Sequence, residues 1–256
     1  MRTVRNLPAR RPSATASWAF RFAVFTPVFA LAGIIAHRIG VIDTISFGNL
    51  IIATIVLTVL TIVLIIAGLG RLWTFGSKGG RKLIGAIIFV SLIAIPLAVG
   101  FYRMVTLPRL TDVSTDLVDP PVLRAELLEF GSSASAIVAG TLEDGYSELS
   151  GRRYNTPVDT ILETAVATGR GLGWEAVRTR GRIGADDVIS IEFTWKSLVL
   201  AMPVDMVVRL SDEGDTTLVD VRSRSRFFDH DLGSNARLIT QYLDALDFAL
   251  IGVVQQ

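Results

Sequence analysis

The sequence predicts an α+β protein in two parts: three N-terminal transmembrane helices, then a soluble domain whose curved four-stranded antiparallel sheet packs against helices. Three observations predict it. Leu50–Leu69 and Leu83–Tyr102 are runs of twenty residues without a charge, long enough as helices to cross a bilayer. The charges divide unevenly: ten Lys and Arg stand against one Asp before residue 103, and fifteen stand against twenty-three Asp and Glu from there on. Between two amphipathic helical patterns, residues 188–226 alternate apolar and polar side chains with period two.

The elements follow in chain order. Residues 1–17 form a basic cytoplasmic tail with Arg2, Arg5, Arg10 and Arg11. The first span, 18–36, is apolar except for Arg21, which lies close enough to one end to snorkel to the headgroups beside Trp18. The tail, the apolar run and Ala30-Leu31-Ala32 together resemble a cleavable signal peptide. The run continues to Ala36 and two more spans follow, which favours a retained helix. The second span, 50–69, lacks the polar face that a buried core helix would show. The third, 83–102, contains Pro96, which membrane helices tolerate. Eight of the ten basic residues before Arg103 fall in the tail and in the loop between spans two and three. That distribution predicts a cytoplasmic N-terminus and a periplasmic domain after Tyr102, in a bacterial inner membrane.

Residues 103–121 read as a linker rich in turn-forming Asp, Ser and Thr that ends in Pro120-Pro121. Residues 122–256 read as the folded domain, with a short helix expected at 133–139. Thr156-Pro157-Val158-Asp159 predicts a helix start, with Thr156 as the capping hydroxyl, and Gly169, Gly171 and Gly173 predict its end. Strands are expected at 174–179, 188–196, 204–210 and 216–226, with a hairpin turn at Asp212-Glu213-Gly214-Asp215. A last helix is expected over 233–253, with Leu238, Tyr242, Leu246, Ala249, Leu250 and Val253 on one face.

Composition excludes several functions. Half of the residues are hydrophobic and 19% are charged, and the soluble part is acidic, so it offers no footprint for nucleic acid. There is no Cys, hence no thiolate nucleophile, disulfide or Cys-based metal site. Gly169-Arg-Gly171-Leu-Gly173 follows a helix rather than a strand and is no dinucleotide fingerprint. No cofactor and no metal is expected. His37 lies at the exit of the first span, and His230 lies between Asp229 and Asp231.

The richest polar segment runs from residue 222 to residue 237. On a strand, Arg222, Arg224 and Arg226 share one side, while Ser223 and Ser225 share the other with Val219 and Val221. The serines would then line a pocket mouth on the core side. The arginines would lie outside, near Asp229, Asp231 and Arg237, either as an Arg/Asp network fixing the strand–helix junction or as an anion site completed by the N-terminus of the last helix. The candidate ligand-binding residues are therefore Arg222, Ser223, Arg224, Ser225, Arg226, Asp231, Asn235 and Arg237. Two function classes follow. One is a non-catalytic envelope module that binds a small amphipathic or anionic ligand, or an envelope protein, beside the lipid bilayer. The other is a hydrolase using Asp112 and Asp116 with His230.

Three motifs carry a family resemblance. Thr111-Asp112-Val-Ser114-Thr115-Asp116…Pro120-Pro121, Gly173-Trp174, and Val221-Arg222-Ser223-Arg224-Ser225-Arg226 with Asp231-Leu-Gly233-Ser-Asn235-Ala-Arg237 resemble hallmarks of a bacterial family, domain of unknown function 1499. The resemblance covers residues 107–250. Phe227-Phe228 departs from it, standing where a small residue is expected. The resemblance implies a domain type and assigns no reaction.

Overall fold

The computed structural model describes residues 12–123, 145–146 and 148–254. The tail before Pro12, the helix expected at 133–139 and the side chain of Val253 lie outside the described residues. The chain divides into two compact units, Met1–Phe101 and Tyr102–Gln256.

The first unit holds α1 (Ala14–Arg38), α2 (Thr44–Phe75) and, as far as Phe101, α3 (Gly80–Thr106), whose last residues belong to the second unit; each helix is long and apolar enough to cross a membrane. Each is longer than the apolar run inside it, and at the N-termini of α1 and α2 a capping side chain extends the helix into polar sequence. Ser13 Oγ accepts from Ala16 N and Asp43 Oδ1 accepts from Ser46 N, each satisfying one free N–H of a first turn. Ala16, Ala19 and Ala23 of α1, Ile65 of α2 and Leu83, Ala86 and Val90 of α3 form one buried apolar cluster. The hydroxyls of Thr54, Thr58 and Thr61 bond carbonyls four residues back, so these polar groups are satisfied within an apolar helix. His37 is buried in the α1–α2 hairpin, stacked on Phe47 with ring centroids 4.4 Å apart.

The second unit is α+β. Among the described residues its sheet has six strands, the four expected and two short ones: β1 (Asp112–Ser114), β2 (Arg152–Tyr154), β3 (Glu175–Arg180), β4 (Val188–Lys196), β5 (Pro203–Asp212) and β6 (Thr217–Ser225). The order is β1-β6-β5-β4-β3, all antiparallel, and β2 also pairs β6. The two added strands are three residues each, too short for a periodic signal. β1 lies within the stretch read as a linker, and all three of its residues are buried, which erases any alternation. β1 and β2 lie in line along one edge of β6, opposite Arg222–Arg224 and Thr217–Val219, and so cover a strand edge that would otherwise be open to pairing with another chain.

Helices α4 (Val158–Gly171) and α5 (Ser234–Val254) cover one face of the sheet. Between them and the sheet lies one core, made by Val158, Ile161 and Ala165 of α4, by Ile239, Tyr242, Leu243 and Leu246 of α5, and by inward residues such as Ile191, Phe193, Met206, Val208 and Val221. Trp174 stacks on Tyr242 at 4.9 Å and meets Phe193 edge-on at 5.6 Å. Gly169 lies inside α4 rather than ending it. A Cβ there would come within 2.6 Å of the Phe193 ring, so α4 approaches β4 through the missing side chain. The start of α4 also differs from expectation. Pro157 is the cap residue with no side-chain cap, and the Thr156 carbonyl instead accepts from Thr217 Oγ1. Asp159 serves the first turn by accepting from Thr160 N.

Candidate functional site

The β5–β6 hairpin sets the geometry of the site. Gly214, at φ +87°, makes the turn, and Glu213 N donates to Thr216 O. The register that follows places Asp205 opposite Arg224 and Arg209 opposite Asp220. β1 then places Asp112 on the other side of Arg224. Across the outer face, the face away from the helices, Asp112, Arg224 and Asp205 therefore alternate in sign along one row.

The side chains pair along the diagonals as well. Arg222 grips Asp112 with two bonds, Nε to Oδ1 at 2.9 Å and Nη2 to Oδ2 at 2.7 Å, and its Nη1 donates to the Pro121 carbonyl. Arg226 grips Asp205 in the same two-pronged way at 2.7 and 2.6 Å, which raises the guanidinium's affinity for its proton against the effect of burial. Arg209 Nη2 donates to both Asp116 and Asp220, and its Nη1 donates to Asp119. Thr115 Oγ1 donates to Asp220 Oδ1. At the far side of this face, Arg180 Nη2 lies 2.6 Å from Oε1 of the fully buried Glu192, a charge contact without hydrogen-bond alignment.

This face was expected to be exposed. It is largely buried: Asp112, Asp205, Asp220, Glu192 and Arg224 are each under a tenth exposed. The chain after β1 provides part of the cover, since Arg209 and Arg222 reach up to its carboxylates and to the Asp119 and Pro121 carbonyls. The counter-ions also differ from those expected. Asp112 pairs with Arg222 and Asp205 pairs with Arg226, whereas Asp229 pairs with Arg109 at 3.1 Å on the surface. Arg237 is exposed and shares none of these ion pairs.

Asp231 has another task. Its carboxylate accepts from Gly233 N at 2.9 Å and from Asn235 N at 2.8 Å, so the first free N–H groups of α5 are already served by the protein's own anion. Burial pushes its pKa up in spite of those bonds. Asp116 moves the other way. Burial opposes its ionisation, but the Asp119 and Val118 N–H groups and the Arg209 guanidinium hold its pKa below the usual carboxylate value.

On the inner face, Ser223 and Ser225 point to the core side as expected, but they do not open onto a pocket. Both hydroxyls reach Asn235 Oδ1, at 3.0 and 3.4 Å, and Asn235 Nδ2 donates to the Thr111 carbonyl at 2.9 Å. Asn235 is fully buried, and its amide thereby joins β6, the entry to β1 and α5. Two open surface grooves of about 340 and 350 Å³ lie elsewhere, along α4, and neither is lined by these residues.

The residues of the hydrolase reading do not share partners. Asp112 is held by Arg222 and Asp116 by Arg209, and His230 is bonded to main chain at both ring nitrogens. Nδ1 accepts from Leu232 N at 3.0 Å, which leaves Nε2 to donate to the Met104 carbonyl at 3.2 Å. No group of three or more His, Asp and Glu poised for a metal occurs among the described residues.

The segments around β1, β6 and the start of α5 thus meet at one junction; of Gly173-Trp174, the tryptophan lies in the core and the glycine is exposed. No curated protein matches the chain. The family model described as protein of unknown function (DUF1499) matches residues 112–246, from the first residue of β1 into α5, and the chain belongs to that family.

Proposed function

We propose that this protein is a membrane-anchored, non-catalytic binding module of the bacterial cell envelope, with its sheet domain on the periplasmic side of the inner membrane. The observation that carries the non-catalytic reading is the state of His230: both ring nitrogens are spent on the main chain, so the residue fastens the β6–α5 turn and has no nitrogen left to move a proton. The acids that would assist it are clamped by arginines. The orientation rests on the basic residues flanking α1 and joining α2 to α3. Arg222 and Arg226 are each matched by one of the protein's own carboxylates, which favours a lipid or protein partner over a free anion as the ligand.

Two measurements test this reading. A reporter active only outside the cytoplasm, fused after Gln256, should be active; activity of a cytoplasmic reporter at the same point refutes the orientation. The full chain, incubated with ester, phosphoester and peptide substrates, should turn over none of them. Turnover that His230→Ala abolishes without unfolding the protein would show an enzyme.

A further inference from the structure

We propose that one end of the sheet, formed by the β4–β5 loop and the β6–α5 turn, inserts Leu198, Val199 and Phe228 into the interfacial layer of the bilayer that anchors the chain. The inference rests on the membrane-anchored reading above.

Strand directions define the two ends. β4 finishes at Lys196, β5 begins at Pro203, β6 finishes at Ser225 and β1 begins at Asp112, all at the same end. The chain also comes into the domain from α3 at this end. Thr111 O accepts from Ser225 N, Leu110 O accepts from Asp231 N, and Met104 O, in the last turn of α3, accepts from His230 Nε2. The tether therefore reaches the domain beside the two loops in question.

Those loops are apolar and held in shape. Residues 197–202 read Ser-Leu-Val-Leu-Ala-Met, with Leu198 77% and Val199 65% exposed. The loop is closed by Ser197 N to Met202 O, Ala201 N to Ser197 O, and Met202 N to Ser197 Oγ, so a tight turn holds these side chains outward. In the neighbouring turn Phe228 is 49% exposed with φ at +66°, a left-handed backbone that costs a non-glycine residue energy and here presents an aromatic ring to the outside.

The opposite end is acidic. Its β3–β4 and β5–β6 turns carry Asp186, Asp187, Asp212, Glu213 and Asp215 against Arg182 and the Arg153 that pairs with Glu213, around exposed Ile183 and Val188. The tether end carries exposed Arg103, Arg109 and Lys196 against Asp229 and Glu175. An apolar tip rimmed by cations suits an anionic lipid surface, and an acidic tip is repelled by one.

The chain contains no cysteine, so single cysteines can be labelled without background. Full-length Val199→Cys, Phe228→Cys, Asp215→Cys and Ile62→Cys carry a polarity-sensitive fluorophore in liposomes of phosphatidylcholine and phosphatidylglycerol. Lipids spin-labelled near the headgroup should quench the labels at 199 and 228 at least about twofold more than the label at 215, and iodide should reach them less. Equal iodide access at 199, 228 and 215, with no lipid quenching, overturns the inference. Shielding of 199 and 228 from both quenchers means that protein covers this end and also overturns it; release of that shielding on diluting the protein among the liposomes identifies a second copy. Lipids spin-labelled deep in the chain should quench the label at 62. If they do and 199 is not quenched, only this inference fails; if they do not, the anchoring reading fails and this one with it.

Discussion

The two faces of the sheet are built on opposite principles. The inner face is held by apolar burial against α4 and α5: Ile191, Phe193, Met206, Val208 and Val221 are wholly buried in contact with other apolar side chains. The outer face is also buried, yet Asp112, Asp205, Asp220, Glu192 and Arg224 occupy it. Apolar burial is non-directional and tolerates sliding, whereas a guanidinium clamped by two bonds accepts a single alignment. The inner face thus provides most of the free energy. The outer face fixes which residue of β1 meets which residue of β6.

The comparison predicts how each face breaks. The largest effect belongs to the inner face. Leu246→Ala should destabilise the domain by about 3–5 kcal/mol, read as a lower midpoint in urea unfolding of the detergent-solubilised chain, because the cavity is closed in on all sides. A loss below about 1 kcal/mol would mean that α5 is not seated on the core.

The outer face should show a different signature. Asp112→Ala leaves Arg222 charged and 17% exposed without its carboxylate, which should cost about 3 kcal/mol. Adding Arg222→Met should restore much of that loss, since replacing both partners removes the stranded charge. Strictly additive losses in the double mutant would show that the pair contributes no coupling.

Acid should separate the faces further. The Asp116 pKa is depressed in the fold, so its contribution is present above the unfolded value of 3.8 and is lost as pH falls through the folded value. The Asp231 pKa is raised, so its contribution is present below 3.8 and is lost as pH rises through its folded value. From neutral pH downward, the stability of the wild type relative to Asp231→Asn should therefore rise, and relative to Asp116→Asn it should fall at the acid end. Parallel profiles for both variants would remove these two carboxylates from the pH dependence. The smallest effect is expected at the surface: Arg109→Ala, which breaks an ion pair with both partners about three-quarters exposed, should change stability by less than about 0.5 kcal/mol.

The same contrast explains what could be read in advance. Alternation along 188–196 and 204–210 gives the inner face directly, because period two sorts apolar side chains onto one side. It also puts Asp205 and Arg209 on the other side, but not what they touch. That needs register, and the hairpin held the clue: with Gly214 in the turn, pairing Asp212 with Thr217 brings Asp205 opposite Arg224. Asp229 and Asp231 looked like the partners of the β6 arginines because they are near in sequence. The actual partner Asp112 comes from 110 residues away, a distance no local pattern spans. The motif residues Ser223, Ser225 and Asn235 were visible as a group, but their joint hydrogen bonding depends on α5 docking over β6, a tertiary event.

The pairing of β1 with β6 gives the domain a particular order of assembly and a particular response to load. β1 is the first strand to follow α3, and it must wait for the last strand of the domain before it has a partner. During synthesis it stays unpaired while nearly the whole domain is made, so docking of β1 is a late, non-local step that closes the fold. Once docked, β1 joins the tether to the sheet at its edge. A pull between anchor and domain would first break the bonds that Met104 and Leu110 accept from the β6–α5 turn, then act on this three-residue strand, peeling it from β6 one backbone bond at a time and loosening Asp112 from Arg222 while the core behind stays intact. The charged clamp sits where such a tug would arrive.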